Sequence, residues 1–397
     1  MSPKRSPASA SPPTPRRVAL LMHTASEWTR DIVRGIADAA LELGGASGGW
    51  DFFIEPRGYD ERILIPRDWQ GDGLIVRLTH GALERAIRQR GLPCVNVSWM
   101  GEHSTAIPKV VSDEAACGRL AAEHFQQLAF RSFAFVGSIH RAGYGDAILR
   151  GYREGAAIEG HTVEVFEPAL PPGASELAAH RPALKKWIRS LPRPTAAFVW
   201  NSEIGLEVIA CGQEVGRQIP EDLAVLVNEY DQLHTALAPV PLSNIDQGAG
   251  RVGQAAAELL DRMMRGEPAP AEPIRISPVS VVQRRSTQTN AVADPFLAQV
   301  LRWMQENSHR PIQIPDIERQ FSVSRRMLEH RFHQHLETTP AHALRRMRLQ
   351  NVKRFLGDTS LPLARIATLT GFNHVEVLVR TFRRELGITP GEFRRQR

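Results

Sequence analysis

The spacing of apolar and polar positions changes about three quarters of the way along the chain. Up to about residue 286, short apolar runs alternate with stretches in which apolar residues recur every three or four positions. Val18-Ala19-Leu20-Leu21-Met22 is the first run. Ile32, Val33, Ile36, Ala40 and Leu43 then mark one face of a helix over residues 27–43. Further runs stand at 52–54, 74–76, 95–97, 133–136, 163–166, 196–200 and 224–227, with amphipathic helices expected at 82–90, 114–128, 146–159, 183–190, 204–215 and 252–264. Strand alternating with helix predicts parallel sheet covered on both faces, because a parallel strand needs a crossover to return. About nine strands are too many for one small sheet. The expected fold is therefore an α/β domain of two doubly wound lobes, with a ligand held between them at the C-terminal ends of the strands.

The last hundred residues follow a helical spacing and repeat themselves. Leu328, Phe332, Leu336, Thr339 and Pro340 recur 50 positions later as Leu378, Phe382, Leu386, Thr389 and Pro390. Each Leu-Phe-Leu series places one apolar stripe on one helix face. A shorter helical pattern precedes each, at 315–320 and 362–370, with turns around Phe321-Ser322-Val323 and Gly371-Phe372-Asn373. Short helix, tight turn, longer helix, twice over, predicts an all-α domain with two helix-turn-helix units. Upstream of the turn the offset drops to 49 (Val323 against Phe372), so the second copy carries one extra residue there.

Charge adds to this picture. From Pro295 onward there are 18 Lys and Arg against 9 Asp and Glu, a net of +9; the chain as a whole has 49 against 43, which leaves the first 294 residues at −3. The basic excess therefore sits on the helical repeat, where it would meet phosphates. The three cysteines, Cys94, Cys117 and Cys211, are widely spaced and argue against a disulfide framework or a Cys-rich zinc site. No run of eighteen apolar residues suggests a membrane span. Residues 1–17, basic and rich in Pro and Ser, read as a disordered tail, and 287–294 as a short polar linker between the domains at 18–286 and 295–397.

Particular motifs sharpen the domain assignments. Val110-Val111-Ser112-Asp113, Phe130-Arg131-Ser132-Phe133-Ala134-Phe135-Val136-Gly137, Ile219-Pro220-Glu221-Asp222 and Leu242-Ser243-Asn244-Ile245-Asp246 resemble the effector domains of LacI/GalR-type regulators, which have a periplasmic-binding-protein-like fold. Those regulators carry their DNA-binding helices at the N-terminus, where this chain has only its tail. At the other end, Ile366-Ala367-Thr368-Leu369-Thr370-Gly371-Phe372, residues 382–390 and Ser324-Arg325-Arg326-Met327-Leu328-Glu329-His330-Arg331-Phe332 resemble AraC/XylS-type DNA-binding domains. The pairing resembles the group of xylose-operon regulators. It implies a cytoplasmic, nucleoid-associated transcription regulator, not an enzyme, with no cofactor. The partners it implies are double-stranded DNA, a small sugar effector, a second copy in a homodimer and, for an activator, RNA polymerase.

Residue roles follow for each domain. Ser324 is placed to cap the first recognition helix, and Arg325 and Arg326 project from its first turn, the part that enters a major groove. Arginine can bond guanine O6 and N7 together, and Glu329 can accept from cytosine N4. In the second copy Asn373 is expected to cap, with His374, Glu376 and Arg380 as contacts. Arg345, Arg346, Arg348 and Lys353 lie on the bridging helix, facing phosphates or solvent. Two units one DNA turn apart, about 34 Å, would read successive grooves. This chain departs from the AraC pattern at Glu318 (usually Ala), at Ser322 (usually Gly) and at Val377-Leu378 (usually an aromatic pair). For the effector, the resemblance implies Trp28, Arg30, Asp31, Asn201, Ser202, Glu229, Tyr230 and Asp231, with Trp28 stacking on a sugar face. Ile148 stands where such sensors usually carry a sugar-binding Arg, and effector binding is expected to close the lobes.

Other patterns have plainer explanations. His330 and His333 are neighbours on a helix but His335 turns away, so no metal site is expected. The glycine-rich segment 44–49 follows a helix rather than a strand and reads as a loop. Two alternatives remain: a regulator whose front domain is a ligand-independent dimerisation module, and a sugar-processing enzyme using carboxylates such as Glu229 and Asp231. The second leaves the terminal repeat without a purpose.

Overall fold

The computed structural model describes residues 15–44, 49–54, 63–65, 69–78, 81–99, 107–138, 145–166, 177–288, 294–336, 338–359 and 361–395. Most of the expected tail (1–14), the glycine-rich segment (45–48) and most of the linker (289–293) lie outside the described residues.

The chain opens with β1 (Arg17–Leu21), α1 (Glu27–Gly44), β2 (Asp51–Ile54), β3 (Gly73–Val76), α2 (Gly81–Arg90), β4 (Cys94–Asn96) and β5 (Val110–Ser112). Next come α3 (Glu114–Gln127), β6 (Phe133–Val136), α4 (Asp146–Ala157), β7 (Val163–Phe166), α5 (Leu177–Ser190), β8 (Thr195–Asn201), α6 (Ser202–Glu214), β9 (Leu223–Glu229), α7 (Gln232–Leu237) and β10 (Ser243–Asp246). They are followed by α8 (Ala249–Met264), β11 (Ile274–Ile276) and β12 (Ser280–Val282). The helical end holds α9 (Pro295–Asn307), α10 (Ile314–Phe321), α11 (Arg325–Leu336), α12 (Pro340–Asp358), α13 (Leu363–Leu369), α14 (Val375–Leu386) and α15 (Pro390–Arg395). The chain divides into two compact units, one of residues 1–113 and 248–277, the other of 114–247 and 278–397.

In the first unit the strand order is β2-β1-β3-β4, all parallel, with a separate parallel pair of β11 and β5. Alternate residues of β1 face opposite ways. Val18 and Leu20 pack with Ile32 and Ile36 of α1 and Val252 and Leu260 of α8, whereas Ala19 and Leu21 pack with Leu83 and Ile87 of α2. Helices α1 and α8 approach so closely that a Cβ on Gly253 would stand 2.0 Å from the Ile32 carbonyl oxygen. Only glycine fits there.

In the second unit the sheet runs β12-β10-β9-β8-β6-β7. It is parallel except for β12, which pairs antiparallel with β10 at the edge. Beyond β12 the chain makes a 3-10 turn at Arg285–Thr287, whose Ser286 and Thr287 are fully buried. The seryl hydroxyl donates to Val225 O (2.5 Å) and the Thr287 hydroxyl to Ser243 Oγ (2.8 Å), so the exit from this sheet is anchored in polar contacts.

The helical end forms two small cores joined by α12. Leu344 of α12 packs with Leu297, Val300, Ile317, Leu328 and Phe332, and Leu349, Val352 and Leu356 pack with Ile366, Leu378 and Phe382. The Thr-Pro pair of each repeat starts the next helix. Thr339 Oγ1 accepts from the His342 amide (3.2 Å), while Thr389 and Glu392 exchange backbone and side-chain bonds at the start of α15. The duplication is thus one of cores and caps as well as of sequence.

Candidate functional site

The first helix-turn-helix places its recognition helix as the sequence predicts. The turn at Ser322 adopts a left-handed conformation (φ 49°). Ser324 then accepts the Met327 amide (3.3 Å), capping α11. Arg325, Arg326 and Glu329 are exposed on its first turns, with Leu328 and Phe332 turned into the core. Arg325 Nε donates to Glu329 Oε1 at 2.8 Å, so these two side chains pair with each other one turn apart. Among the described residues Arg326 has no such tie.

The second copy differs by its extra residue. The turn is at Gly371 (φ 74°), α14 begins at Val375 and its N-cap position is His374, which makes no side-chain cap bond. The expectation that Asn373 caps this helix is therefore incorrect. Counting back from Leu378 as from Leu328, His374 corresponds to Ser324, and Asn373 is the insertion. Asn373, His374, Glu376 and Arg380 are all exposed. Glu376 and Arg380 line an open groove with Val375, Val379, Arg383, Arg384 and Thr389. Arg383 and Arg384 were not among the expected contacts, although they stand in the family-like motif.

The basic residues of α12 do not share one role. Arg348 reaches back to the carbonyls of Arg310 (2.9 Å) and Ile312 (2.6 Å), and burial lowers its pKa; it ties α12 to the segment between α9 and α10 instead of meeting phosphate. Arg345 pairs with Glu385 at 3.3 Å. Lys353 Nζ stands 3.9 Å from Glu123 on α3, one turn from a Gln350–Gln127 bond of 2.6 Å, so this part of α12 meets the α/β part of its unit. Arg346 is exposed and has none of these partners. Among the described residues no group of three His, Cys, Asp or Glu is placed to hold a metal ion, and no helix is long and apolar enough to cross a membrane. His335 instead lies 3.7 Å from Asp294, the N-cap of α9, which also pairs with Arg331.

The expected effector residues fall in two groups. In the first unit, Trp28 lies in the first turn of α1 under the guanidinium of Arg77 (5.2 Å to the ring centroid). Arg30 donates to the carbonyls of Thr24 (2.9 Å) and Ala25 (2.7 Å) and to Glu27, and Asp31 pairs with Arg34, so both brace α1. In the second unit, Asn201 caps α6 through the Ile204 amide (2.9 Å). The buried Ser202 hydroxyl donates to Glu229 O (3.1 Å) and accepts from the Asp231 amide (3.0 Å), tying the ends of β8 and β9 together. Asp231 caps α7, and Tyr230 lies under Arg284 (4.5 Å). Glu229, at the end of β9, is half-buried. Ile148 is fully buried among Phe133, Phe135 and Tyr152, and Arg150 is exposed, so neither supplies a polar group where the sugar-binding Arg usually stands. Arg77 was missed. Its signal was a lone Arg directly after the apolar run 74–76.

Parallel sheets of the binding-protein kind, joined to two basic helix-turn-helix units, define a DNA-binding regulator with a sensor domain. The profile of the periplasmic binding protein-like domain matches residues 122–287, and that of a helix-turn-helix domain matches 317–396. The chain is similar to the xylose operon regulatory protein of Escherichia coli K12, 26% identical over 95% of this chain and 96% of the relative. It is 23% identical to that of Haemophilus influenzae over 95% and 98%. The solved structure of a xylose-binding transcription activator matches with a TM-score of 0.60 at 24% identity, over 97% of this chain and 99% of the other. The chain carries an AraC-type helix-turn-helix domain behind a periplasmic-binding-protein-like domain, and is a transcription regulator rather than an enzyme.

Proposed function

We propose that the protein binds a specific duplex DNA site through both helix-turn-helix units, under the control of a small sugar or sugar derivative bound by the front domain. The carrying observation is the pair of recognition helices, with exposed arginines at the start of α11 (Arg325, Arg326) and along α14 (Arg380, Arg383, Arg384), each set on its own apolar core behind a sensor fold. Its similarity to xylose operon regulatory proteins supports a sugar as the effector class. The regulator acts on DNA in the cytoplasm as a homodimer, and contacts RNA polymerase where it activates. An effector shifts its DNA-binding equilibrium only by its differential affinity for the two states.

Arg326 is the favoured base reader of the first unit, since Arg325 is engaged with Glu329. On a site selected from random duplexes, Arg326→Ala should weaken binding by about 1–3 kcal/mol and relax preference at one base pair. Fluorescence anisotropy with single-base variants of the site reads this. Unchanged affinity and preference would remove α11 from base reading. For the effector, calorimetric titration against pentoses, hexoses and their acids should give heat with at least one. Silence from all would leave the front domain as a ligand-independent dimerisation module.

A further inference from the structure

We propose that the first unit is built to hold a carboxylate, so that the effector is a sugar acid and not a neutral sugar. This deepens, and rests on, the reading of the front domain as an effector sensor. The strand order β2-β1-β3-β4 sets β1 beside β3, yet α1 and α2 leave them for opposite faces of the sheet. Loops that diverge in this way open a crevice at the C-terminal ends of the two strands, where α/β sheets bind ligands. Arg77 is the first residue after β3. Its amide donates to Leu21 O at 3.0 Å, which fixes it against the end of β1. Across the crevice stand Trp28 and Thr29 of α1.

The Arg77 side chain is 8% exposed. Nη1 donates to Thr29 Oγ1 (3.2 Å) and the guanidinium covers the Trp28 ring, but among the described residues Nε has no partner, and neither has the buried indole Nε1 of Trp28. Among the described residues no carboxylate pairs with Arg77. Other guanidinium groups withdrawn from solvent are treated differently. Buried Arg217 donates to the carbonyls of Ile188, Leu191 and Pro192, and half-buried Arg348 to those of Arg310 and Ile312. A buried charge without a counter-charge is costly, so the charge of Arg77 is a standing demand for an anion. Nearby acceptors are already spent: Asn96 Oδ1 takes the amides of Leu78 (3.2 Å) and Ser98 (3.0 Å), and Ser26 Oγ bonds Thr29 Oγ1 (3.0 Å). The two buried side-chain atoms left unpaired here, Arg77 Nε and Trp28 Nε1, are both donors, one of them charged. A carboxylate, which only accepts and carries one negative charge, matches that set. A phosphate dianion would exceed the single positive charge.

Calorimetry on the full chain with five- and six-carbon aldonates, their uncharged amides and the parent aldoses tests this, D-xylonate, D-xylonamide and D-xylose being the first set. One acid should bind at least about tenfold more tightly than its amide and its aldose, and Arg77→Gln should erase that preference. Removing an unpaired buried charge should leave the Arg77→Gln protein at least as heat-stable as wild type without ligand, while its stabilisation by the acid is lost. An amide or aldose binding as tightly as its acid, or a preference that survives Arg77→Gln, overturns the carboxylate assignment and leaves the sensor reading intact. No heat from any acid, amide or aldose overturns both.

Discussion

Asn373 shows how one inserted residue separates a motif from its role. In the first copy Val323 is followed directly by Ser324, which caps α11; in the second, Asn373 comes between Phe372 and His374, and the cap position passes to a side chain that makes no cap bond. Both turns pass through left-handed backbone, at Ser322 and at Gly371. Only glycine takes that conformation without a Cβ penalty. Ser322→Gly should therefore stabilise the protein by about 0.5–1 kcal/mol, in the range of strain-relieving turn substitutions. Gly371→Ala should cost about 2–4 kcal/mol, because the added Cβ would also stand 2.4 Å from Arg310 O and 2.5 Å from Ser308 O. Urea unfolding of the two variants checks the opposed signs. Two shifts of the same sign would mean that backbone strain does not govern these turns. Ser324 was legible as a cap because a cap depends on residues three positions away, whereas the capping roles of Thr339 and Thr389 were not read from their place in the repeat. Arg77 was not legible, because its meaning lies in partners it lacks and in a tryptophan 49 positions earlier.

At the level of elements, periodicity located most strands and helices of the front domain to within a few residues, since apolar runs and stripes record which faces are buried; it did not mark α9, and α5 begins six residues before the expected 183. It did not show that β12 turns antiparallel or that Thr287 is buried in a 3-10 turn instead of starting a polar linker. Those outcomes depend on pairings about 40 positions apart, with Asn244 and Ser243. The same turn gives α3 a pH dependence. His124 of α3 lies 3.2 Å from Thr287 Oγ1 and against Phe125, and burial pushes it down to about 4 from the usual 6.5. The unfolded chain then binds more protons than the folded one between these values, so stability rises with pH across that window. The contribution is complete above about pH 6.5 and is lost as pH falls toward 4. Melting temperatures at pH 7, 6 and 5 should fall less steeply in His124→Gln than in wild type. Equal slopes would show that His124 is free to protonate in the fold.

On the scale of the whole molecule, charge is divided by task. The last 103 residues carry +9 and the preceding 294 carry −3, so the field that attracts DNA comes from the helical end. Within that end the structure separates cations committed to the fold from those left for phosphate. Arg348 is spent on carbonyls, Arg345 on Glu385, Arg331 on Asp294 and Lys353 near Glu123, whereas Arg346 stays exposed without any of these ties. Net charge alone therefore overstates the DNA contact. If Arg346 meets one phosphate, Arg346→Ala should flatten the plot of log affinity against log salt by about 0.9 on duplex DNA. It should weaken the selected site and an unrelated duplex equally, because a phosphate contact carries no sequence information. Arg348→Ala should differ in kind: its loss leaves carbonyls at Arg310 and Ile312 without their donor and should lower stability before it alters the salt slope. Anisotropy titrations between 50 and 200 mM salt, run beside urea unfolding, separate the two, with the expected affinity loss spanning several orders of magnitude over roughly that interval. A slope that drops with Arg348→Ala but not with Arg346→Ala would reverse the assignment and place the phosphate path along the buried side of α12.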